Sequence, residues 1–303
     1  MVATLAGSHE QTGLVDGVGT SARFHRPQGL VASADGRTLL IADSQNRAIR
    51  RLDIITGGVA TIAGGGAEGA EDGVRSAARF TQPAGLALDV NETTLYIADR
   101  SNHNVRALVL QTGRVTTLAG SGAYGYQDGV GTQAWFAGPI ALALTPNGAT
   151  LFVSDFHTHR LRAIDVATRS VSTVAGVGSP SGADGVGVSA GFYNPQGLAI
   201  SPSGRILYVA DLHNYRVRSV DLASSTVTTL CGTRSGRADG VATRAAFNRP
   251  RGLAITSDGS MLFVADFDNH QVSHVPARDT LHCRARHTRA KRPSPSALHR
   301  YAR

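Results

Sequence analysis

Carboxylates and imidazoles are the side chains of this 303-residue sequence whose types and spacing could do chemistry. An aspartate recurs at 43, 99, 155, 211 and 266, and a ring of carboxylates could hold a metal or exchange protons. Acid–base catalysis, however, needs two or three groups in unlike environments. Here the setting is the same each time: an asparagine follows three residues later (Asn46, Asn102, Asn214, Asn269), with Thr158 in the remaining copy. Asp43, Asp99, Asp155, Asp211 and Asp266 are therefore read as structural, with side chains that satisfy backbone donors in turns. The Asp-Gly pairs at 16, 72, 128, 184 and 239 are likewise read as turn formers rather than cation ligands.

Histidines follow the recurring aspartate closely, at His103, His157, His159, His213 and His270. They fall in different copies of the pattern, too far apart to share one zinc with bonds of about 2.0–2.1 Å. Only His157 and His159, two residues apart and able to face one way, could pair, and two nitrogens without a third ligand make a weak site. No G-x-S-x-G, P-loop or H-E-x-x-H is present. Cys231 stands where other copies have alanine, which suits a buried small residue better than a nucleophile. No catalytic residue, metal or cofactor is assigned, and the chain is not expected to be an enzyme.

These residues are positioned by a repeat. Prolines at 27, 83, 139, 195 and 250 are spaced by 56, 56, 56 and 55 residues, and self-similarity at such a period marks a repeat architecture. Each unit runs from Asp-Gly to a phenylalanine (24, 80, 136, 192, 247), to the proline and then to the aspartate. Between these lie short apolar or alternating runs separated by turn residues, as in Gly29-Leu30-Val31-Ala32, Leu39-Leu40-Ile41-Ala42, Ala48-Ile49-Arg50-Arg51-Leu52 and Val59-Ala60-Thr61-Ile62. Four short strands per unit, repeated, predict an all-β propeller with five four-stranded antiparallel blades. The fifth unit lacks the V-x-T-x-A-G segment and has His-Cys-Arg-Ala-Arg-His at 282–287 instead. The orphan Val2-Ala3-Thr4-Leu5-Ala6-Gly7 matches the missing strand and is expected to close the last blade, removing an open edge.

The expected domain is thus 1–275, followed by a basic, disordered tail over 276–303. That tail holds eight Lys/Arg against the single acid Asp279, so it accounts for nearly all of the formal net charge of +8. No apolar run reaches the roughly 18 residues of a membrane span, and no signal peptide is legible at the start. Two cysteines are too few for a disulfide framework.

The segments Leu95-Tyr96-Ile97-Ala98-Asp99 with Asn102-His103-Asn104-Val105-Arg106, and Leu207-Tyr208-Val209-Ala210-Asp211 with Asn214-Tyr215-Arg216-Val217-Arg218, resemble the NHL repeat. The Ala-Gly … Asp-Gly … Phe-x-x-Pro connector resembles its large version of about 56 residues, and the likeness covers about nine tenths of the chain. The family norm of six blades is the alternative to the five counted. The resemblance implies one of three functions: a protein-interaction domain, a single-stranded RNA-binding propeller, or a relative of a metal-dependent lyase. The last would need histidines converging on the central channel, where the innermost strands have none.

In an up-and-down meander, the connector into each blade and the turn between its second and third strands emerge on one side, and both vary in sequence here. Variable loops on a rigid frame make that side the expected binding surface. It would present Arg23, Arg26, Arg79, Trp135, Phe156, His157, His159, His213, Tyr215, Arg249 and Arg251. Arginine with tryptophan, tyrosine and phenylalanine suits a protein interface, and also a platform for single-stranded RNA. A protein partner is the first expectation and RNA the second, because the chain has a single lysine and a propeller charge near zero. The expected molecule is a monomeric, non-enzymatic scaffold.

Overall fold

The computed structural model describes residues 3–9, 11–277 and 284–287. In the first blade, Pro27–Ala32 is innermost, followed outward by Thr38–Asp43, Ala48–Asp53 and Gly58–Gly64. All neighbours are antiparallel, and the same arrangement occurs five times, which makes the five-bladed β-propeller expected from the repeat. Each sheet also has a fifth, two-residue outer strand, such as Gly17–Val18, that the sequence did not signal. It is the Asp-Gly connector running antiparallel to the fourth strand, with Gly17 opposite Val59.

Turn chemistry sets the strand ends. Asp35 Oδ1 accepts the Arg37 amide at 2.9 Å, while Gly36 takes φ +68°, so the first two strands reverse in a tight Asx turn. Between the second and third strands, Ser44–Asn46 forms a single 3-10 turn that ends on Arg47 at φ 53°. Each innermost strand bulges just after its proline: Pro27 opposes Asp43, but Leu30 opposes Ile41. That bulge frees the residue after the proline from the ladder and turns it toward the channel.

Alternating apolar positions form the core between blades. Leu40, Ala42 and Ile49 of the first blade pack with Leu86, Leu95 and Ile97 of the second around Phe80 from the connector. At Gly29, Gly85 and Gly197 the innermost strands come so close that a Cβ would strike the next blade's backbone at Ala84, Ile140 and Arg251.

Among the described residues this packing runs from the first blade to the fifth, and no comparable packing joins the fifth back to the first. Phe263 and Val272 are 43% and 55% exposed, whereas their counterparts Tyr208 and Val217 are buried under the next blade. Across the gap Leu30 is 62% exposed, while Leu86, Leu142 and Leu198 at the same position are buried.

The structure therefore corrects how the last blade is completed. Its fourth strand is Arg284–His287, which pairs with Gln271–Pro276 and with the connector strand Gly240–Val241. Residues 284–287 thus belong to the propeller rather than to the tail, and the rest of the expected tail from 278 onward lies outside the described residues. The described part of the expected closing strand, from Ala3, adopts no strand. Instead Gly7 N donates to Gly19 O and Ala6 packs beside Phe24 on the first blade, as Gly120 N donates to Gly131 O between later blades. Its local packing is that of a fourth strand's end, and the ladder expected beside it on the fifth blade is absent among the described residues.

Candidate functional site

The recurring aspartates are fully buried. Asp43 Oδ1 accepts the His25 amide at 2.7 Å, and Oδ2 accepts Asn46 Nδ2 at 2.7 Å, joining turn and connector. A further partner went unread in the sequence: Arg50, seven residues on, is fully buried and donates to Asp43 Oδ2 at 2.7 Å and to Asp16 at 2.8 Å. Arg106, Arg162 and Arg218 repeat the arrangement with Asp72/Asp99, Asp128/Asp155 and Asp184/Asp211. Each guanidinium also donates to two connector carbonyls, for Arg218 those of Gly191 and Ala183 at 2.9 Å, and lies over the recurring phenylalanine, here Phe192 at 5.3 Å. Such a group is a clamp that pins the connector to the blade. The Asp-Gly aspartate is therefore one of its jaws as well as a turn residue. In the fifth blade Ser273 stands in the arginine's place.

Desolvation dominates the carboxyls of Asp99, Asp155 and Asp211, raising all three against the opposing pull of the arginines and hydrogen bonds. Asp155 is pushed up to about 6. Its blade has Thr158 in place of asparagine, with the hydroxyl 3.2 Å from the Asp155 backbone carbonyl, and the Thr158 side chain and Arg162, at 3.4 Å, both oppose the rise that burial causes.

Above the clamps, connector and turn meet on one side in every blade: Gln45, Arg100, His157, His213 and Asp268 each donate a backbone N–H to a connector carbonyl. The structure gathers the predicted residues there unevenly. Phe156 and His157 pack edge to face at 4.9 Å, and Tyr124 bridges them to His103, with centroids at 6.1 and 5.3 Å. His159 and His213 flank Tyr193 at 5.5 and 4.9 Å in a second group. His157 and His159, the two that could have paired, thus belong to different ring clusters. Among the described residues, no three His, Cys, Asp or Glu side chains are placed to hold a metal ion.

The histidines are set as neutral donors and acceptors. His103 Nδ1 accepts the Gly138 amide at 3.2 Å, and His159 Nδ1 accepts the Asn194 amide at 3.0 Å. Burial holds His103, His157, His159 and His213 below the ordinary imidazole value, with nearby cations helping in the last three.

Trp135, 39% exposed, stays on the connector opposite Gln127, its carbonyl held by Arg162. Arg26 is exposed, and Tyr215 is half-buried at a left-handed turn end with φ 57°. Arg23 is engaged locally by Gln11 and the Ala22 carbonyl, Arg79 lies 4.0 Å from Glu71, and Arg249 pairs with Asp268 at 3.3 Å. Arg251 points elsewhere, into the central channel, with Arg100. Tyr124, Tyr193 and Arg100 were missed. The first lies in the length-variable stretch Ala123-Tyr124-Gly125-Tyr126, which was itself the available signal.

No family model matches the sequence. The chain is 31% identical over 299 residues to NHL repeat-containing protein 2 of Bos taurus, an alignment that covers 86% of this chain. It is 30% identical over 283 residues to the chloroplastic Protein SUPPRESSOR OF QUENCHING 1 of Arabidopsis thaliana, which covers 89% of this chain. The chain is an NHL-repeat β-propeller. It spans 40% and 26% of the lengths of those two relatives. Among solved structures, this NHL propeller superposes on a Bacteroides thetaiotaomicron protein of unknown function with TM-score 0.55 and 21% identity, over 94% of this chain and 75% of that one. It also superposes on a chain of a nidogen/laminin complex with TM-score 0.60 and 14% identity, over 84% and 76%. Both likenesses show the fold alone. No described helix of the NHL propeller is long and apolar enough to cross a membrane.

Proposed function

We propose that the propeller is a non-enzymatic scaffold that binds a protein partner through the connector face, centred on Tyr124, Trp135, Phe156, His157, Tyr193 and His213. The observation that carries this reading is the pair of exposed aromatic–histidine clusters on a clamped frame; Tyr124 alone is 64% exposed. Aromatic rings fixed beforehand offer contact area at little cost in conformational entropy, which is the make-up of interface hot spots. A name among the relatives that refers to a suppressor of quenching is a property of that protein and assigns no partner to this one.

The test is quantitative partner capture from the native source, with Tyr124→Ala and Tyr193→Ala compared with wild type. Specific partners should be lost from both variants while folding is retained. Binding of a single-stranded RNA pool that resists salt and disappears with Tyr193→Ala would instead assign the face to RNA.

A further inference from the structure

Two ring positions per blade surround the channel mouth on the connector side: the residue after the innermost proline, turned inward by the bulge, and the residue after the clamped aspartate. The first set reads Gln28, Ala84, Ile140, Gln196, Arg251, and the second Ser44, Arg100, Phe156, Leu212, Phe267. Arg100 and Arg251 line one central cavity of about 510 Å³, and among the described residues they are its only charged lining residues. Gln28 and Gln196 add amide groups to the rim, and leucines such as Leu86 and Leu198 wall the space below.

These two arginines contrast with the four clamps. Arg50, Arg106, Arg162 and Arg218 are each held between two carboxylates, whereas Arg100 and Arg251 form no ion pair among the described residues. Arg251 Cζ lies 3.4 Å from the Phe267 ring centroid and Arg100 Cζ 5.3 Å from that of Phe156, so each guanidinium rests over a ring rather than against a carboxylate. Asp268, the acid nearest Arg251 in effect, is engaged by Arg249 at 3.3 Å. The Arg251 Nε is buried and has no hydrogen-bond partner among the described residues, as is true of the four clamp arginines, so what sets Arg251 apart is the lack of a paired carboxylate. Burial disfavours the charge on both guanidiniums, and that of Arg251 adds to the penalty on Arg100. An anion between them would relieve both effects.

We propose that the channel mouth is a carboxylate-binding site, in which Arg100 and Arg251 hold the headgroup and the leucine-lined channel takes an apolar body. A phosphodiester chain fits less well, because its next charges would meet the leucine wall. The carboxylate is either a free acid or an acidic side chain inserted by a partner. The site goes beyond the partner surface above and is tested separately from it.

Calorimetric titration of the full chain uses octanoate as the free acid, the peptide acetyl-Leu-Glu-Leu-Leu-amide as the side-chain source, and octanamide as the neutral control. At least one carboxylate should bind, with octanamide about tenfold weaker or worse, and Arg100→Gln and Arg251→Gln should each weaken binding about tenfold. Whichever of octanoate and the peptide binds identifies the source. Ile140→Glu, which keeps both arginines and supplies an internal carboxylate, should block binding, so the proposal stays testable if an arginine variant folds poorly. No carboxylate binding up to about 10 mM, binding unchanged by these substitutions, or octanamide equal to octanoate overturns the proposal. So does tighter, arginine-dependent binding of a short oligouridylate. Loss of partner capture in Tyr124→Ala and Tyr193→Ala with intact octanoate binding would show that the two sites are independent.

Discussion

Arg218 Nη1 lies 2.8 Å from Asp211 Oδ2 with both side chains fully shielded from solvent, and the other end of the guanidinium reaches Asp184 on the connector. This contact joins two neighbouring strands, at residues seven apart along the chain, to a connector 34 residues away. Removing the cation alone leaves a buried carboxylate without its counter-charge, so Arg218→Met should cost about 3–5 kcal/mol. Adding Asp211→Asn to that variant should recover part of the loss, since the orphaned charge is gone. Urea unfolding of wild type, single and double variants checks both; an additive or worse double variant would contradict the clamp.

Thr158 interrupts the asparagine series at Asp155, whose carboxyl is raised by burial despite the opposing pull of the Thr158 side chain and Arg162. With its folded pKa at about 6 and an unfolded value near 3.9, the folded state binds more protons than the unfolded one between those pH values. Asp155 therefore lowers stability progressively as pH rises through that window, and the full penalty is present above it. Thr158→Asn replaces the threonine hydroxyl with the amide donor that Asn102 and Asn214 give their aspartates at 2.6 and 2.8 Å. It should stabilise the protein by about 1 kcal/mol at pH 7 and by less at pH 4. Melting temperatures of both proteins across that range test the prediction, which fails if the difference does not grow with pH.

His103 and His159 act through the opposite sign. Both accept backbone N–H groups at Nδ1 and titrate below the ordinary imidazole value, so the unfolded state takes up protons first on acidification. Their contribution is fully present above roughly pH 6.5 and is lost as pH falls through their lowered folded values. Amide exchange at Gly138 and Asn194, corrected for its intrinsic rate, should accelerate by pH 5, and His103→Ala should remove the pH response at Gly138. An exchange rate at Gly138 that follows the intrinsic rate throughout would exclude this role.

What could be read from the sequence was whatever repeats locally. Proline, phenylalanine and aspartate spacing gave the blades, and the Asp/Asn pairing gave the turn chemistry, because both are fixed within a few residues of chain. The clamp arginine repeats in four of the five units, seven residues after the aspartate, but arginine in an alternating strand reads as a solvent-facing residue. Its burial depends on a connector lying over it, which periodicity does not report. Likewise, Arg251 looked like one more face arginine until the bulge after Pro250 turned it toward the channel. The closing strand failed for a related reason: Arg284–His287 has no apolar alternation to signal a strand, and its position comes from pairing with the strands on either side.

Among the described residues a gap separates the fifth and first blades, and it makes equivalent residues energetically unequal. Phe152 is buried between the third and fourth blades, and truncation to alanine should cost about 3–5 kcal/mol. Phe263, at the same position of the fifth blade, faces the gap and should lose about 1 kcal/mol or less on the same change. Glycines sample the same asymmetry through the backbone. A Cβ at Gly197 would collide with the Arg251 carbonyl, whereas one at Gly252 meets only Ala265 Cβ at 3.5 Å. Gly197→Ala should therefore destabilise by about 1–3 kcal/mol while Gly252→Ala is near neutral. Chemical unfolding of the four variants decides it: equal costs within each pair would mean that the fifth blade is covered in solution and the ring has no gap.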